Sequence, residues 1–120
     1  MKKFFSGAAL LVCANLIAPF APASPFSDSY TAYQQAVAEQ DKEKVVFTAA
    51  KAFELGRRYF EPHSVDVANL ELNLATALQD NGEFQSAHQH FNNVIEIYRQ
   101  QFGHTALELI DPLIGAVQTM

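Results

Sequence analysis

Apolar positions repeat with the spacing of an α-helix in two separate stretches of this chain. In each stretch they recur at steps of three and four residues, which places them on one helix face. The later ladder is Phe84, Ala87, Phe91, Val94 and Tyr98, and the earlier one is Val46, Ala49, Phe53, Gly56 and Phe60. Two matching ladders indicate an internal repeat, and their offset of 38 residues is typical of helical solenoids.

The first half of the pattern predicts two helices. The first is expected to start at a cap on Ser27 or Asp28 and to run to about Gln40. Residues 41–44 are predicted to form a solvated polar turn, and the second helix is expected over residues 45–60. Gly56 lies on its apolar ladder, which indicates close contact with a neighbouring helix.

The second half predicts three more helices. Ser64 is expected to cap a third helix that is apolar over most of its circumference, as in the middle of a stack. A turn over residues 80–83 leads to a fourth helix, which is expected to span residues 84–102 and to end at Gly103. Thr105 and Glu108 have capping-box spacing and predict a fifth helix. Pro112 either kinks this helix or begins a restarted helix capped by Asp111.

The chain resembles a tetratricopeptide repeat of the kinesin-light-chain type. The motifs that carry this resemblance are Val67-Ala68, Asn73-Leu74-Ala75, Gly82-x-Phe84, Ala87-x-x-x-Phe91, and the equivalent His63 and His104 ahead of successive repeats. The resemblance implies an all-α fold of antiparallel helix-turn-helix pairs, stacked as a short right-handed solenoid. About two and a half repeats are expected in a domain over residues 24–120, at residues 28–62, 64–103 and, in part, 105–120.

The resemblance also implies a concave groove that binds protein segments along the first helix of each pair. Asn73 matches the groove asparagine of the family, whose amide both donates to and accepts from the backbone of an extended peptide. Its equivalent in the first repeat is Gln35, and the other candidate groove residues are Asn69, Thr76, Gln79 and Asp80. Alternatively, these residues are simply solvated polar positions on a helix.

Two departures from the family change the expected partner. The chain has no Lys or Arg between Ser64 and Glu83, so the cationic clamp that chaperone-binding members use for a carboxylate is not expected. Glu71 stands where the family usually has an apolar residue. A neutral to acidic groove favours neutral to basic partner segments.

Charge makes some partners implausible. The chain has 8 Lys and Arg against 13 Asp and Glu, and two of those cations are Lys2 and Lys3 near the N-terminus. The remainder is strongly acidic, which disfavours nucleic acid and anionic membrane surfaces because both need clustered cations.

Residues 1–23 read as a secretory signal peptide with a basic start, a short apolar run and a small-x-small site at Ala21 and Ala23. Cleavage is expected after Ala23, which predicts a periplasmic or secreted protein. An uncleaved anchor is disfavoured by the short run and by Pro19 and Pro22. Lipid attachment at Cys13 is disfavoured by the preceding Val12.

Candidate chemistry is sparse. His88 and His90 are two residues apart on a helix and point away from each other, so they are not expected to share a metal. No catalytic pattern stands out, and neither an enzyme nor a cofactor is predicted.

Three hypotheses follow for function. The first is an exported scaffold that binds protein or peptide segments. The second is an oligomerisation module that self-associates through residues 105–120, whose apolar last helix has no partner helix. The third is an N-terminal part of a larger, TonB-like envelope protein.

Overall fold

The computed structural model describes residues 24–120. The predicted signal peptide, Cys13 and the cleavage site after Ala23 therefore lie outside the described residues. Within residues 24–120 the fold is all-α, without strands, as expected. Its helices are α1 (Pro25–Glu39), α2 (Lys42–Tyr59), α3 (Val65–Asp80), α4 (Phe84–Phe102) and α5 (Ile110–Gln118), with a short 3-10 turn at Leu107–Leu109 before α5.

Each α-helix packs against the one before it in the chain, and α3 also contacts α5. The connections are short, which is typical of antiparallel helix neighbours. The right-handed sense of the stack stays a prediction. Across residues 24–120, every helix is too short or too polar to cross a bilayer.

The core lies between α2, α3 and α4. Alanines at its centre let the helix backbones approach closely, and Phe91 and Val94 of α4 are almost completely buried there. Helix α3 packs against α2, α4 and α5, which confirms its predicted place in the middle of the stack; its buried positions are Val67, Ala68, Leu70, Glu71, Leu74, Ala75, Ala77 and Leu78. A Cβ on Gly56 would meet Leu70 and Phe26, so the predicted close contact at this glycine is confirmed.

Two predicted helix starts were too late in the chain. Helix α1 is capped by Ser24, whose Oγ accepts from the Ser27 amide at 2.9 Å, and not by Ser27 or Asp28. Pro25 is the first helical residue, where its missing N–H removes no helical hydrogen bond. Helix α2 begins at Lys42 because Asp41 caps it through the Lys44 amide, so the polar stretch 41–44 is a cap and a first turn.

The predictions for α3 and α4 are confirmed. Ser64 Oγ accepts from the Val67 amide at 3.2 Å and begins α3. Gly82 and Gly103 have positive φ angles of 82° and 96°, and they flank α4 at its predicted bounds.

The prediction that a fifth helix starts at Thr105 is wrong. The chain forms a 3-10 turn and then begins α5 at Ile110, with no side-chain cap hydrogen bond at either start. A helix from Thr105 would place Pro112 in its interior, where the ring clashes and a hydrogen bond is lost. In the observed fold, Pro112 lies in the first turn of α5, where backbone amides have no helical acceptor. Neither predicted role of Pro112, a kink or the first helical residue, is observed.

Candidate functional site

A groove of about 340 Å³ runs along α3 and between α1 and α5, and we call it the α3–α5 groove. Its lining residues are Tyr33, Leu72, Asn73, Thr76, Gln79, Phe91, Asp111, Ile114, Gly115 and Gln118. Three predicted groove residues, Asn73, Thr76 and Gln79, come together here because they are three apart along one helix. The groove therefore presents a row of polar side chains between apolar walls.

Two features of the α3–α5 groove bear on what it can bind. Gln79 Nε2 donates to Gln118 Oε1 at 2.8 Å, so this pair joins α3 to α5 across it. Tyr33 projects from α1, and burial raises the pKa of its hydroxyl, with a further contribution from Tyr30. The Tyr33 hydroxyl therefore stays protonated at neutral pH and can donate a hydrogen bond.

The other three predicted groove residues lie elsewhere. Asn69 Oδ1 accepts the hydroxyl proton of Tyr98, so this amide already has an intramolecular partner. Asp80 lines a separate pocket with Lys42 at the α1–α2 connection. Gln35 is exposed on α1 and lines none of these pockets. A binding role for these three residues stays a prediction.

A larger groove of about 560 Å³, which sequence reasoning missed, lies between α2 and α4 over the N-terminal half of α3. We call it the α2–α4 groove; it is lined by Phe53, Arg57, Pro62, His63, Val67, Glu71, His90, Asn93, Glu96, Ile97 and Gln100. Glu71 is buried, at 5% exposure. Its Oε2 lies 2.8 Å from His90 Nδ1 and accepts from Asn93 Nδ2 at 3.0 Å. The sequence signal for this groove was a carboxylate at a position usually apolar in the family.

The two helical histidines face different helices, as their spacing predicted. His88 Nδ1 lies 2.9 Å from the Ala116 carbonyl oxygen of α5, whereas His90 contacts Glu71 of α3. Within residues 24–120, no three His, Cys, Asp or Glu side chains lie close enough together to hold a metal ion. His63 adopts a left-handed backbone with φ 60° just before α3, and its carbonyl accepts from Gln101 at 3.3 Å.

Comparisons with known proteins agree with this helical architecture. A family model described as tetratricopeptide repeat matches residues 48–100, which cover most of α2, all of α3 and most of α4. No curated protein matches the chain. No solved structure matches it either. The kinesin-light-chain subtype stays a prediction, and the family match supports the predicted tetratricopeptide repeat over residues 48–100.

Proposed function

We propose that this chain is a protein-interaction scaffold that holds an extended partner segment in the α3–α5 groove. Tetratricopeptide repeats serve as protein-interaction modules and are typically non-catalytic. The observation that carries the proposal is the convergence of Asn73, Thr76 and Gln79 in one groove lined by residues of four helices. Each of these side chains can both donate and accept hydrogen bonds, which suits the alternating groups of a peptide backbone.

The groove chemistry favours a neutral to basic segment. Its lining contains one carboxylate, Asp111, and neither Lys nor Arg. Leu72 and Ile114 supply apolar contact area for the partner's side chains. The amides would therefore bind the backbone, while Asp111 would favour a cation on the partner.

Peptide binding by Asn73 variants tests this proposal. Peptides that bind the purified full chain are first selected from a random peptide library. Fluorescence anisotropy then measures their affinity. Asn73→Ala is expected to weaken binding about tenfold, because the partner's backbone groups lose a buried hydrogen-bonding amide. Asn92→Ala is the matched control, since Asn92 is exposed on α4 and lies outside the groove lining. Selected peptides that bind both variants as tightly as the wild type would contradict the proposal.

We also propose that the scaffold is exported. The support is the basic, apolar and small-x-small order of residues 1–23. N-terminal sequencing of protein isolated from its native cells is expected to begin at Ser24. A mature protein that still begins at Met1 would contradict export by this signal.

Self-association through α5 is a second candidate function. The observation that favours it is an apolar stripe that faces solvent on this helix and its flanks. Exposed fractions reach 50% at Ile110, 39% at Leu113, 50% at Ile114, 66% at Val117 and 90% at Met120. Ile110, Leu113, Ile114 and Val117 have the spacing of a helix–helix seam. A second copy could cover this face, and light scattering over a concentration series would detect it.

A further inference from the structure

Glu71 is a buried carboxylate without a cationic side chain beside it. Its side chain is 6% exposed, and across residues 24–120 no Lys or Arg nitrogen lies within 4.0 Å of it. His90 is a charged partner only when its imidazole is protonated. Burying a carboxylate costs folding free energy unless a charge or several hydrogen bonds compensate it. On grounds of folding free energy alone, a carboxylate at this buried position is therefore unfavourable.

One oxygen of the carboxylate remains available. His90 and Asn93 both contact Oε2, and within the described part of the chain Oε1 makes no hydrogen bond. Glu71 lies in the lining of the α2–α4 groove, so a ligand in this groove can approach it. The free oxygen can accept a charge-assisted hydrogen bond, which is about twice as strong as a neutral one.

The walls of the α2–α4 groove suit a long side chain with a charged end. Phe53, Val67 and Ile97 offer apolar surface to an aliphatic stem, and Glu96 adds a second carboxylate. The groove's own cation, Arg57, lies 5.3 Å from the centre of the Phe53 ring and pairs with Glu54 at 3.4 Å. Arg57 therefore pairs within its own helix, α2, and does not compensate the negative charge of Glu71.

We propose that the α2–α4 groove binds an arginine or lysine side chain of a partner protein, with its cationic group on Glu71. The occupant follows from charge complementarity, since a buried anion with a free oxygen in an acidic chain selects a cation. This site is separate from the α3–α5 groove and does not depend on peptide binding there.

An NMR titration of the full chain with small probes tests the proposal. The probes are N-acetyl-arginine amide, N-acetyl-lysine amide, and N-acetyl-citrulline amide as the uncharged isostere of arginine. The reporter is the pair of ring C–H resonances of His90, observed at one fixed pH, because the His90 ring nitrogen lies 2.8 Å from the Glu71 carboxylate. The arginine and lysine probes are expected to shift these resonances saturably, and citrulline is expected to bind at least about tenfold more weakly.

Three variants separate the charge at the site from the overall charge of the chain. Glu71→Gln keeps the side-chain shape and is expected to weaken arginine binding about tenfold. Glu43→Gln, the matched control, removes the same charge from an exposed position at the start of α2 and is expected to bind like the wild type. Asn93→Lys places an ammonium group beside Glu71 from an exposed position and is expected to abolish the response.

Several outcomes would overturn the proposal. Equal shifts from arginine and citrulline probes would show that charge does not select the ligand. Equal affinity in Glu71→Gln and Glu43→Gln would show that Glu71 does not bind it. If Glu71→Gln fails to fold, unchanged arginine binding by Asn93→Lys is the decisive contrary result. Loss of peptide binding in Asn73→Ala would leave this site intact, so the two proposals fail independently.

Discussion

The hydroxyl of Tyr98 on α4 forms a hydrogen bond to α3. The ring is buried at 5% exposure, and its OH donates to Asn69 Oδ1. Burial raises the pKa of this hydroxyl, and the nearby carboxylates of Asp111 and Glu108 raise it further. The folded state therefore holds the Tyr98 proton more tightly than the unfolded chain does.

This raised pKa predicts a loss of stability in alkali. Because the folded pKa lies above the unfolded value of about 10, the contribution of Tyr98 is complete below that pH. It declines as pH rises from there through the folded pKa. Urea denaturation between pH 8 and 11 should show this fall, and Tyr98→Phe should reduce it. Tyr33→Phe should reduce it too, since burial also raises the pKa of Tyr33.

Tyr59→Phe provides the control, because Tyr59 is 65% exposed at the end of α2. This variant is expected to retain the alkaline decline of the wild type. A Tyr98→Phe protein with an unchanged decline would show that this hydroxyl does not ionise in linkage with folding.

At the scale of elements, α5 packs against α4. Gly115 lies directly on the Phe91 ring, so that a Cβ at this position would overlap Phe91 ring atoms. His88 adds a polar contact to the Ala116 carbonyl oxygen from the same face of α4. The nine-residue helix is too short to be stable alone and depends on these contacts.

Gly115→Ala is therefore expected to destabilise the fold. The Phe91 ring is 2% exposed and cannot move aside, so overpacking should cost about 1–3 kcal/mol of unfolding free energy. Chemical denaturation measures the loss. Asn92→Ala is the control, since Asn92 is exposed on α4 and alanine there raises helix propensity without meeting a buried neighbour. A Gly115→Ala protein at least as stable as the wild type would mean that α5 does not pack on the Phe91 ring at this position.

At the scale of the whole molecule, one end of the helical stack presents apolar surface to solvent. Leu107, in the 3-10 turn before α5, is 78% exposed, and Val117, in α5, is 66% exposed. Helical repeats bury such faces against a neighbouring unit. Exposed apolar surface is common at protein interfaces, which is why we propose self-association through this face.

Leu113→Asp is expected to shift any dimer of the chain towards monomer by more than about tenfold in the dissociation constant, because a carboxylate would be buried in the contact. Sedimentation equilibrium measures the shift. Leu113 is preferable to Ile114, which also lines the α3–α5 groove. Phe47→Asp is the control, at a side chain 68% exposed on α2. A wild-type chain that stays monomeric at all concentrations would contradict self-association.

Local signals in the sequence were sufficient for much of the fold. The Ser64 cap and the two glycines around α4 act within a few residues, so the bounds of α3 and α4 could be predicted without tertiary information. The apolar ladders likewise predicted an all-α repeat, because helical periodicity is a property of neighbouring positions. The late placement of the α1 and α2 starts came from overlooking Ser24 and Asp41 as caps, although both signals were local.

Tertiary structure alone decided which polar residues share a site. Asn69 and Asn73 are one helical turn apart, yet Tyr98 engages Asn69 while Asn73 lines the α3–α5 groove. Glu71 became a buried carboxylate in a groove because α2, α3 and α4 meet around it. The sequence by itself determined the first four helices and their repeat, because those depend on contacts between near neighbours, whereas the nine-residue α5 also depends on its packing against α4. The grooves depend on side chains brought together from different helices, and that arrangement exists only once the helices have packed.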